Sequence, residues 1–199
     1  MKSIKENSSF SIFSKVIFCL LWICLFACQS PKQEVPIVEE VIPEEKGEFP
    51  GSWLGKWKGT LIITKPTGDT TQVAMQLHIL ENDSIDGWDW KIIYGEDIEK
   101  GTRAYSLLEK DVEQGHYIID ENNSILLDGF LFGDTFFSRF SVMDNLLLAI
   151  YRKTGNQITF EILSGGEKPI AITGEGEEDI PPVGSYGLSV HQRAVLTKL

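Results

Sequence analysis

From residue 53 onward the chain consists of short segments in which apolar and polar side chains alternate, separated by turn residues at fairly even intervals. The segment 157–163 shows this clearly, because Ile158, Phe160 and Ile162 alternate with polar neighbours. A period of two places apolar side chains on one face of a β-strand, whereas an amphipathic helix needs a period of 3.6 residues. No segment of the sequence shows a convincing helical period. The chain is therefore predicted to be all-β.

The breaks between these segments have the chemistry of turns. Lys65-Pro66-Thr67-Gly68-Asp69 combines a proline, which restricts one dihedral angle, with a glycine, which permits a positive one. Gly133-Asp134, Asp144-Asn145 and Gly155-Asn156 can each turn a hairpin. The predicted strands are 53–64, 73–79, 88–94, 103–107, 116–120, 124–130, 135–142, 146–153, 157–163, a short strand near Ile170, and 186–199.

These strands predict a single antiparallel up-and-down β-barrel of about eight to ten strands. A barrel is favoured over a sandwich because the last strand can pair with the first, which removes exposed sheet edges. The aromatic residues of the inward faces either line a cavity or fill a barrel of this size, and both alternatives stay open. They are Trp57, Trp88, Trp90, Tyr105, Tyr117, Phe136, Phe140, Tyr151 and Phe160.

The N-terminus has the layout of a lipoprotein signal peptide. A basic start precedes an apolar run over 16–27, which is shorter than the roughly 20 residues of a membrane span. Leu25-Phe26-Ala27-Cys28 resembles a bacterial lipobox, which implies cleavage after Ala27 and acylation of Cys28. The predicted divisions are a signal peptide over 1–27, a tether rich in Pro and Glu over 28–50, and a barrel domain over 51–199.

Charge and cysteine content exclude several classes of function. The chain has a net charge of −11, and the predicted signal peptide removes three Lys and one Glu, leaving −13. Nucleic acids and anionic lipid surfaces require basic clusters, so we expect no nucleic-acid partner and attachment to the membrane through acyl chains alone. The predicted domain contains no cysteine, which excludes thiolate metal sites, cysteine nucleophiles and disulfides within it.

The first strand resembles the opening of a calycin, the superfamily of lipocalins, fatty-acid-binding proteins and nitrobindin-like barrels. The resemblance lies in Gly51-Ser52-Trp53 and in Gly55-Lys56-Trp57-Lys58-Gly59. In lipocalins this tryptophan plugs the closed end and stacks on an arginine of the final strand, which implies that Arg193 stacks on Trp53 or Trp57. Lipocalins also carry a helix before that strand, and the many Gly and Pro residues of 164–185 argue against one here.

Two arginines are candidates for holding a ligand. Arg103 shares a predicted face with Tyr105, and Arg152 shares one with Leu148 and Ile150. An inward arginine is costly unless it is paired, so each could hold a carboxylate, as fatty-acid-binding barrels do. The alternative is a position at the rim or an ion pair inside the protein. With Arg103 and Arg152, the candidate ligand-binding set includes Trp88, Trp90 and Tyr105.

No catalytic or metal-binding motif stands out, so we predict no metal, no cofactor and no enzymatic activity. The histidines are widely separated, and a zinc site needs three or four convergent ligands. Nitrobindin-like proteins bind haem through one histidine, which leaves His191 as a candidate. The acidic loop over 174–179 could hold calcium, although it lacks the spacing of an EF-hand.

The sequence therefore predicts a lipid-anchored protein of the bacterial envelope, expected at the outer membrane and facing the periplasm. The predicted function is binding of a small hydrophobic or amphipathic ligand inside the barrel. The alternative is a structural or interaction module with a filled core, whose acidic loops suit a basic protein partner.

Overall fold

The computed structural model of the protein describes residues 48–174, 176 and 179–199. The predicted signal peptide, the predicted acylation site Cys28 and all but the last three residues of the predicted tether lie outside the described residues. No helix among the described residues is long and apolar enough to cross a membrane.

The described chain is almost entirely β-structure. Its strands are β1 (Gly55–Thr64), β2 (Thr70–Glu81), β3 (Gly87–Tyr94), β4 (Thr102–Asp111), β5 (His116–Asp120), β6 (Leu126–Phe132), β7 (Thr135–Val142), β8 (Asn145–Thr154), β9 (Gln157–Gly166), β10 (Pro169–Thr173), β11 (Val183–Tyr186) and β12 (Val190–Lys198). The predicted all-β class is confirmed. The turn chemistry is confirmed as well, because Gly68, Gly133 and Gly155 all adopt positive φ at hairpin turns.

Ten of these strands close into one antiparallel barrel. Strands β1 to β9 pair with their sequence neighbours, and β12 completes the ring between β9 and β1. In that closing pair Leu61 lies opposite Ala194, and on the other side of β12 Ala194 lies opposite Phe160. The predicted pairing of the last strand with the first is confirmed, and it removes the sheet edges that an open sheet would expose.

The segment between β9 and β12 forms a separate two-stranded sheet, β10 with β11. This agrees with the argument that 164–185 contains too many Gly and Pro residues for a helix. Among the described residues, the helical elements are single turns: 3₁₀ turns at Gly51–Trp53 and Val112–Gln114 and a four-residue helix at Ile98–Gly101. The Asp97 carboxylate accepts a hydrogen bond from the Lys100 N–H and so caps that helix.

The inward faces of the ten strands form one core. Several of its largest side chains are completely buried, and each contributes roughly 1.5–3 kcal/mol relative to exposure. They are Trp53, Trp57, Trp90, Tyr117, Phe136, Phe160, Leu61, Met75, Leu77, Ile79, Leu107 and Ile158. Gly129 on β6 makes room for one of them, since a Cβ there would overlap the ring of Phe136.

The end of the barrel where the described chain begins is filled by aromatic side chains in contact with one another. Phe49 inserts there, with its ring 5.0 Å from Trp53, 4.9 Å from Tyr117 and 5.5 Å from Phe136. Trp53 lies in the 3₁₀ turn that precedes β1, although the alternation had placed it in the strand. We call this the closed end. The opposite end, where β3 ends and β4 begins, is called the mouth.

Candidate ligand-binding cavity

A cavity of about 110 Å³ lies inside the barrel on the side of the mouth. Its deeper walls are buried side chains, among them Ile92, Ile119 and Ala149, whereas its rim side chains, such as Leu127 and Ile162, are half-buried. Six aromatic residues line it: Trp90, Tyr94, Tyr105, Phe140, Tyr151 and Phe160. A concave, mostly apolar site with a few polar groups is the usual form of a ligand pocket.

The sheet register brings the aromatic rings together. Trp90 lies opposite Tyr105 in the β3–β4 pair, and Tyr151 lies opposite Phe160 in the β8–β9 pair. Across the barrel the rings of Trp90 and Tyr151 are 5.1 Å apart at 80°. On the adjacent strands β8 and β9, the rings of Tyr151 and Phe160 are 5.0 Å apart at 51°. Edge-to-face and tilted arrangements are the favoured geometries of aromatic pairs. The deep wall of the cavity is therefore a continuous aromatic surface.

The three tyrosine hydroxyls of the cavity stay protonated over a wide pH range. Burial raises the pKa of Tyr94 to about 12. Burial also raises the pKa of Tyr151, against the effect of a hydrogen bond from the Trp90 side chain. The pKa of Tyr105 is raised by burial and by the nearby Glu121 carboxylate, and the Arg103 guanidinium acts in the opposite direction. Near neutral pH these phenols are uncharged donors and acceptors of hydrogen bonds.

Two further polar residues line the cavity. The Ser138 hydroxyl already donates to the carbonyl oxygen of Asp128 at 2.8 Å, so it is satisfied within the sheet. Glu121 follows β5 at the rim, and one of its carboxylate oxygens accepts a hydrogen bond from the Asn123 side-chain amide at 3.3 Å. Among the residues that the structure describes, Glu121 is the one ionisable carboxyl group in the cavity lining, and no basic side chain lines it.

Arg103 lies beside the mouth and outside the cavity lining. The positive charge of its guanidinium acts on the hydroxyls of Tyr94 and Tyr105 and opposes the rise in their pKa. This agrees with the prediction that Arg103 and Tyr105 share one face of the strand. The side chain is exposed, however, and its Nη1 donates to the carbonyl oxygens of Lys100 and Thr102 at 3.2 Å each. Its role as an anchor for a ligand stays a prediction.

The predicted facing of Arg152 is wrong, whereas Trp88 shares the inward face of Trp90 as predicted and packs against the core, but lies outside the cavity lining. Arg152 lies on the outer face of β8, where it is exposed and its Nε donates to the Thr135 hydroxyl at 3.2 Å. Ala149 and Tyr151 carry the inward face instead. Trp88 lies towards the closed end, where it borders an open acidic groove with Glu81 and Glu109. Trp90 and Tyr105 do line the cavity, as predicted from their shared face.

The cation at the closed end is a lysine and not the predicted Arg193. The Lys198 ammonium lies over the Trp57 ring, 5.3 Å from its centroid. Arg193 points outward and pairs with Glu161 on β9 at 3.4 Å. In β12 the inward face is carried by Ala194 and Leu196. Lys198 is two residues beyond Leu196 and lies on that face, whereas Arg193 is adjacent to Ala194 and lies on the opposite one.

Each of the three histidines contacts a polar or acidic side chain outside the cavity lining. His191 lies outside the barrel, 3.4 Å from the same Glu161 carboxylate, so it does not face the interior as a haem ligand would. His116 bonds Asp128 at 2.7 Å, and His78 bonds Gln76 at 3.0 Å. Within the described ranges, no group of three or more His, Cys, Asp or Glu side chains is arranged to hold a metal ion.

Several residues of the site and the closed end escaped the sequence-based prediction. Tyr94 was placed on the correct face but not in the candidate set, and Glu121 was assigned to a turn. Ala149 carries no chemical signal, because its importance lies in the space it leaves. Phe49 was assigned to the tether, because the adjacent Pro50 and Gly51 are typical of a linker and gave no sign that its ring packs into the closed end.

The barrel resembles solved structures at low sequence identity. No protein-family model matches the sequence, and no curated protein matches it. A protein with unknown function from the DUF3598 family of Nostoc punctiforme matches with a TM-score of 0.53 and 12% identity, covering 75% of this chain and 48% of that one. The chain thus spans about half the length of that protein. At this identity the match shows a likeness of fold alone.

A second solved structure is similar at a lower TM-score. An S-type phycobiliprotein lyase from Guillardia theta matches with a TM-score of 0.46 and 10% identity, covering 73% of this chain and 88% of that one. The prediction that the chain is not an enzyme is withdrawn, because the lack of a recognisable catalytic motif in the sequence does not exclude activity.

Proposed function

We propose that this protein is a lipid-anchored component of a bacterial envelope whose barrel binds a small amphipathic molecule at the mouth. The cavity between Trp90 and Glu121 carries this proposal, since its lining combines apolar rings with a few polar groups. Its volume of about 110 Å³ is well below the roughly 300–1,000 Å³ of sites for drug-sized ligands. The ligand is therefore compact, or it inserts one compact group and leaves the rest outside.

Three features of the sequence support the anchor. The basic start, the short apolar run and the small residue before Cys28 are those of a lipoprotein signal. The acidic charge of the chain makes docking on anionic lipid through basic patches unsuitable. We propose that acylated Cys28 holds the barrel at the outer membrane, on its periplasmic side.

The β10–β11 hairpin favours a second candidate function, an interaction module. All its strand residues are exposed, including Ile170, Ile172, Val183 and Tyr186. An isolated two-stranded sheet is marginally stable in water, so a partner that covers these side chains would stabilise it. In this alternative the hairpin, and not the cavity, carries the function.

Solvent extraction of the purified full chain followed by mass spectrometry tests the cavity. We expect a non-covalent molecule in stoichiometric amount, and we expect Ala149→Leu, which fills the cavity, to lose it. Ala104→Leu is the matched control, because Ala104 is exposed on β4. Circular dichroism of both variants checks that the barrel is folded. An empty wild-type barrel, or equal retention by both variants, would contradict binding in the cavity and favour the interaction module.

A further inference from the structure

We propose that the cavity recognises an organic cation, such as the head of a methylated ammonium compound. This inference rests on the proposed function, because it names the chemical class of the ligand that the cavity binds. It depends on three observations: the charge of the lining, the number of aromatic residues in it and the size of the space.

The charge of the lining is negative. Glu121 is the one ionised group that lines the cavity among the described residues, and the lining includes no lysine, arginine or histidine. One Glu121 oxygen bonds Asn123, and the carboxylate lies at the half-buried rim. A carboxylate at the edge of an apolar site attracts a cation and repels an anion, and the attraction strengthens as the ligand displaces water.

The six aromatic residues of the lining provide the second element of such a site. Ring faces carry negative electrostatic potential, and cations bind over them within about 6 Å of the centroid. Several aromatic residues around one small volume form the arrangement that proteins use for quaternary ammonium groups. The Trp90, Tyr151 and Phe160 rings are already held by contacts with one another, so little ordering is needed on binding.

The tyrosines of the lining are neutral near neutral pH and act through their rings and hydroxyl groups. Since Tyr94, Tyr105 and Tyr151 remain protonated, the negative charge of the lining comes from Glu121. The tyrosine hydroxyl oxygens can still accept hydrogen bonds from a hydroxyl group or an N–H on the ligand. The cavity of about 110 Å³ suits a compact head group rather than a long acyl chain.

Arg103 lies beside the mouth, and its guanidinium and the Glu121 carboxylate both act on the Tyr105 hydroxyl. It is exposed and hydrogen-bonded to the Lys100 and Thr102 carbonyls. A carboxylate drawn to Arg103 from inside the cavity would also approach Glu121. Removing Arg103 should therefore strengthen binding of a cation, whereas in an anion site it would weaken binding.

Titration calorimetry of the full chain in detergent, with three probes of nearly equal shape, tests the inference. The probes are choline, the neutral 3,3-dimethylbutan-1-ol and the anionic 3,3-dimethylbutanoate. We expect choline to bind about tenfold more tightly than the alcohol, and the anion to bind most weakly. Glu121→Gln should remove most of that preference, and Arg103→Gln should raise the affinity for choline. Glu109→Gln, which removes the same charge from the groove at the opposite end, is the matched control and should leave the preference intact.

Choline binding no tighter than binding of the alcohol or the anion would overturn the inference, as would equal effects of Glu121→Gln and Glu109→Gln. Absence of binding by all three probes would overturn it as well. The solvent extraction then separates the two proposals. If the retained molecule is neutral or anionic, the proposed ligand binding is supported and the proposed recognition of a cation is wrong. If the barrel is empty, both proposals are wrong.

Discussion

The indole N–H of Trp57 donates a hydrogen bond to the carbonyl oxygen of Trp53 at 3.0 Å, and both side chains are buried. This bond joins the first inward residue of β1 to the 3₁₀ turn that precedes it. It fixes the turn across the closed end of the barrel, where Phe49 packs on Trp53. Two tryptophans spaced by four residues thus act as one closing unit.

Replacing Trp57 with phenylalanine should destabilise the barrel by about 2–4 kcal/mol, because it leaves a buried carbonyl oxygen without its donor and opens a void. Urea unfolding followed by circular dichroism measures the change. Trp88→Phe is the matched control, since Trp88 is only half-buried and borders an open groove. Similar losses for both variants would show that the hydrogen bond to Trp53 is not special.

Phe49 should contribute to stability as a member of the core. Its ring contacts Trp53, Tyr117 and Phe136, so Phe49→Ala should cost about 1.5–3 kcal/mol. Phe132→Ala, at a side chain that is 68% exposed, should change the free energy of unfolding little. Thermal or urea unfolding of both variants tests this. No loss for Phe49→Ala would mean that the closed end does not need its plug.

Lys198 should matter more to the closed end than Arg193 does. The ammonium of Lys198 lies over Trp57, so Lys198→Met should lose roughly 0.5–1 kcal/mol from an exposed cation–π contact. Arg193→Gln breaks an exposed ion pair with Glu161, and such pairs contribute between about 0 and 1 kcal/mol. Urea unfolding at low and high salt distinguishes them. A larger loss for Arg193→Gln would favour the stacking arginine implied by the lipocalin resemblance.

Stability should fall with rising pH in the alkaline range, in part through Tyr94. The pKa of Tyr94 is raised from 10.0 in the free side chain to about 12 in the folded barrel. Above about pH 10 the unfolded chain therefore releases this proton first, which favours unfolding until the pH reaches about 12. Tyr94→Phe should make the decline of unfolding free energy shallower, and the exposed Tyr186→Phe is the control. An unchanged slope for Tyr94→Phe would contradict the raised pKa.

Cys28 should determine membrane association. In a bacterial host, Cys28→Ser should abolish labelling by radioactive palmitate and move the protein out of the membrane fraction, because the acyl chains supply the binding free energy. Cys24→Ser is the matched control within the apolar run and should leave labelling intact. Labelling of the Cys28→Ser variant would place the acylated residue elsewhere or reject the lipobox.

The alternation of side chains was sufficient to predict the class of fold where one face of a strand is polar. In β9, Gln157 and Thr159 face outward and Ile158 and Phe160 are buried, so facing follows directly from sequence. In β8 the run Leu146–Ile150 is apolar on both faces. Periodicity then carries no information on facing, and Arg152 was placed inside when it lies outside.

The residues of the cavity likewise divide into those that alternation predicts and those that it does not. Trp90 and Tyr105 could be assigned to it because each lies in an alternating strand. Glu121 could not, since a carboxylate in a turn is ordinarily solvated. Its position in the cavity lining depends on where the loop after β5 lies over the barrel. That position is set by contacts such as the Glu121 N–H donating to the Ile125 carbonyl at 3.0 Å, which the sequence pattern does not encode.

The sequence by itself determined the β-class, the turns and the closure of the last strand onto the first, since these follow from a two-residue period and from glycine and proline chemistry. Only the tertiary structure decided that Lys198 rather than Arg193 meets Trp57, and that six aromatic side chains and Glu121 surround one small space. The physical reason is that facing and register depend on pairing between strands distant in sequence. A shift of one residue moves every side chain to the other face of the sheet.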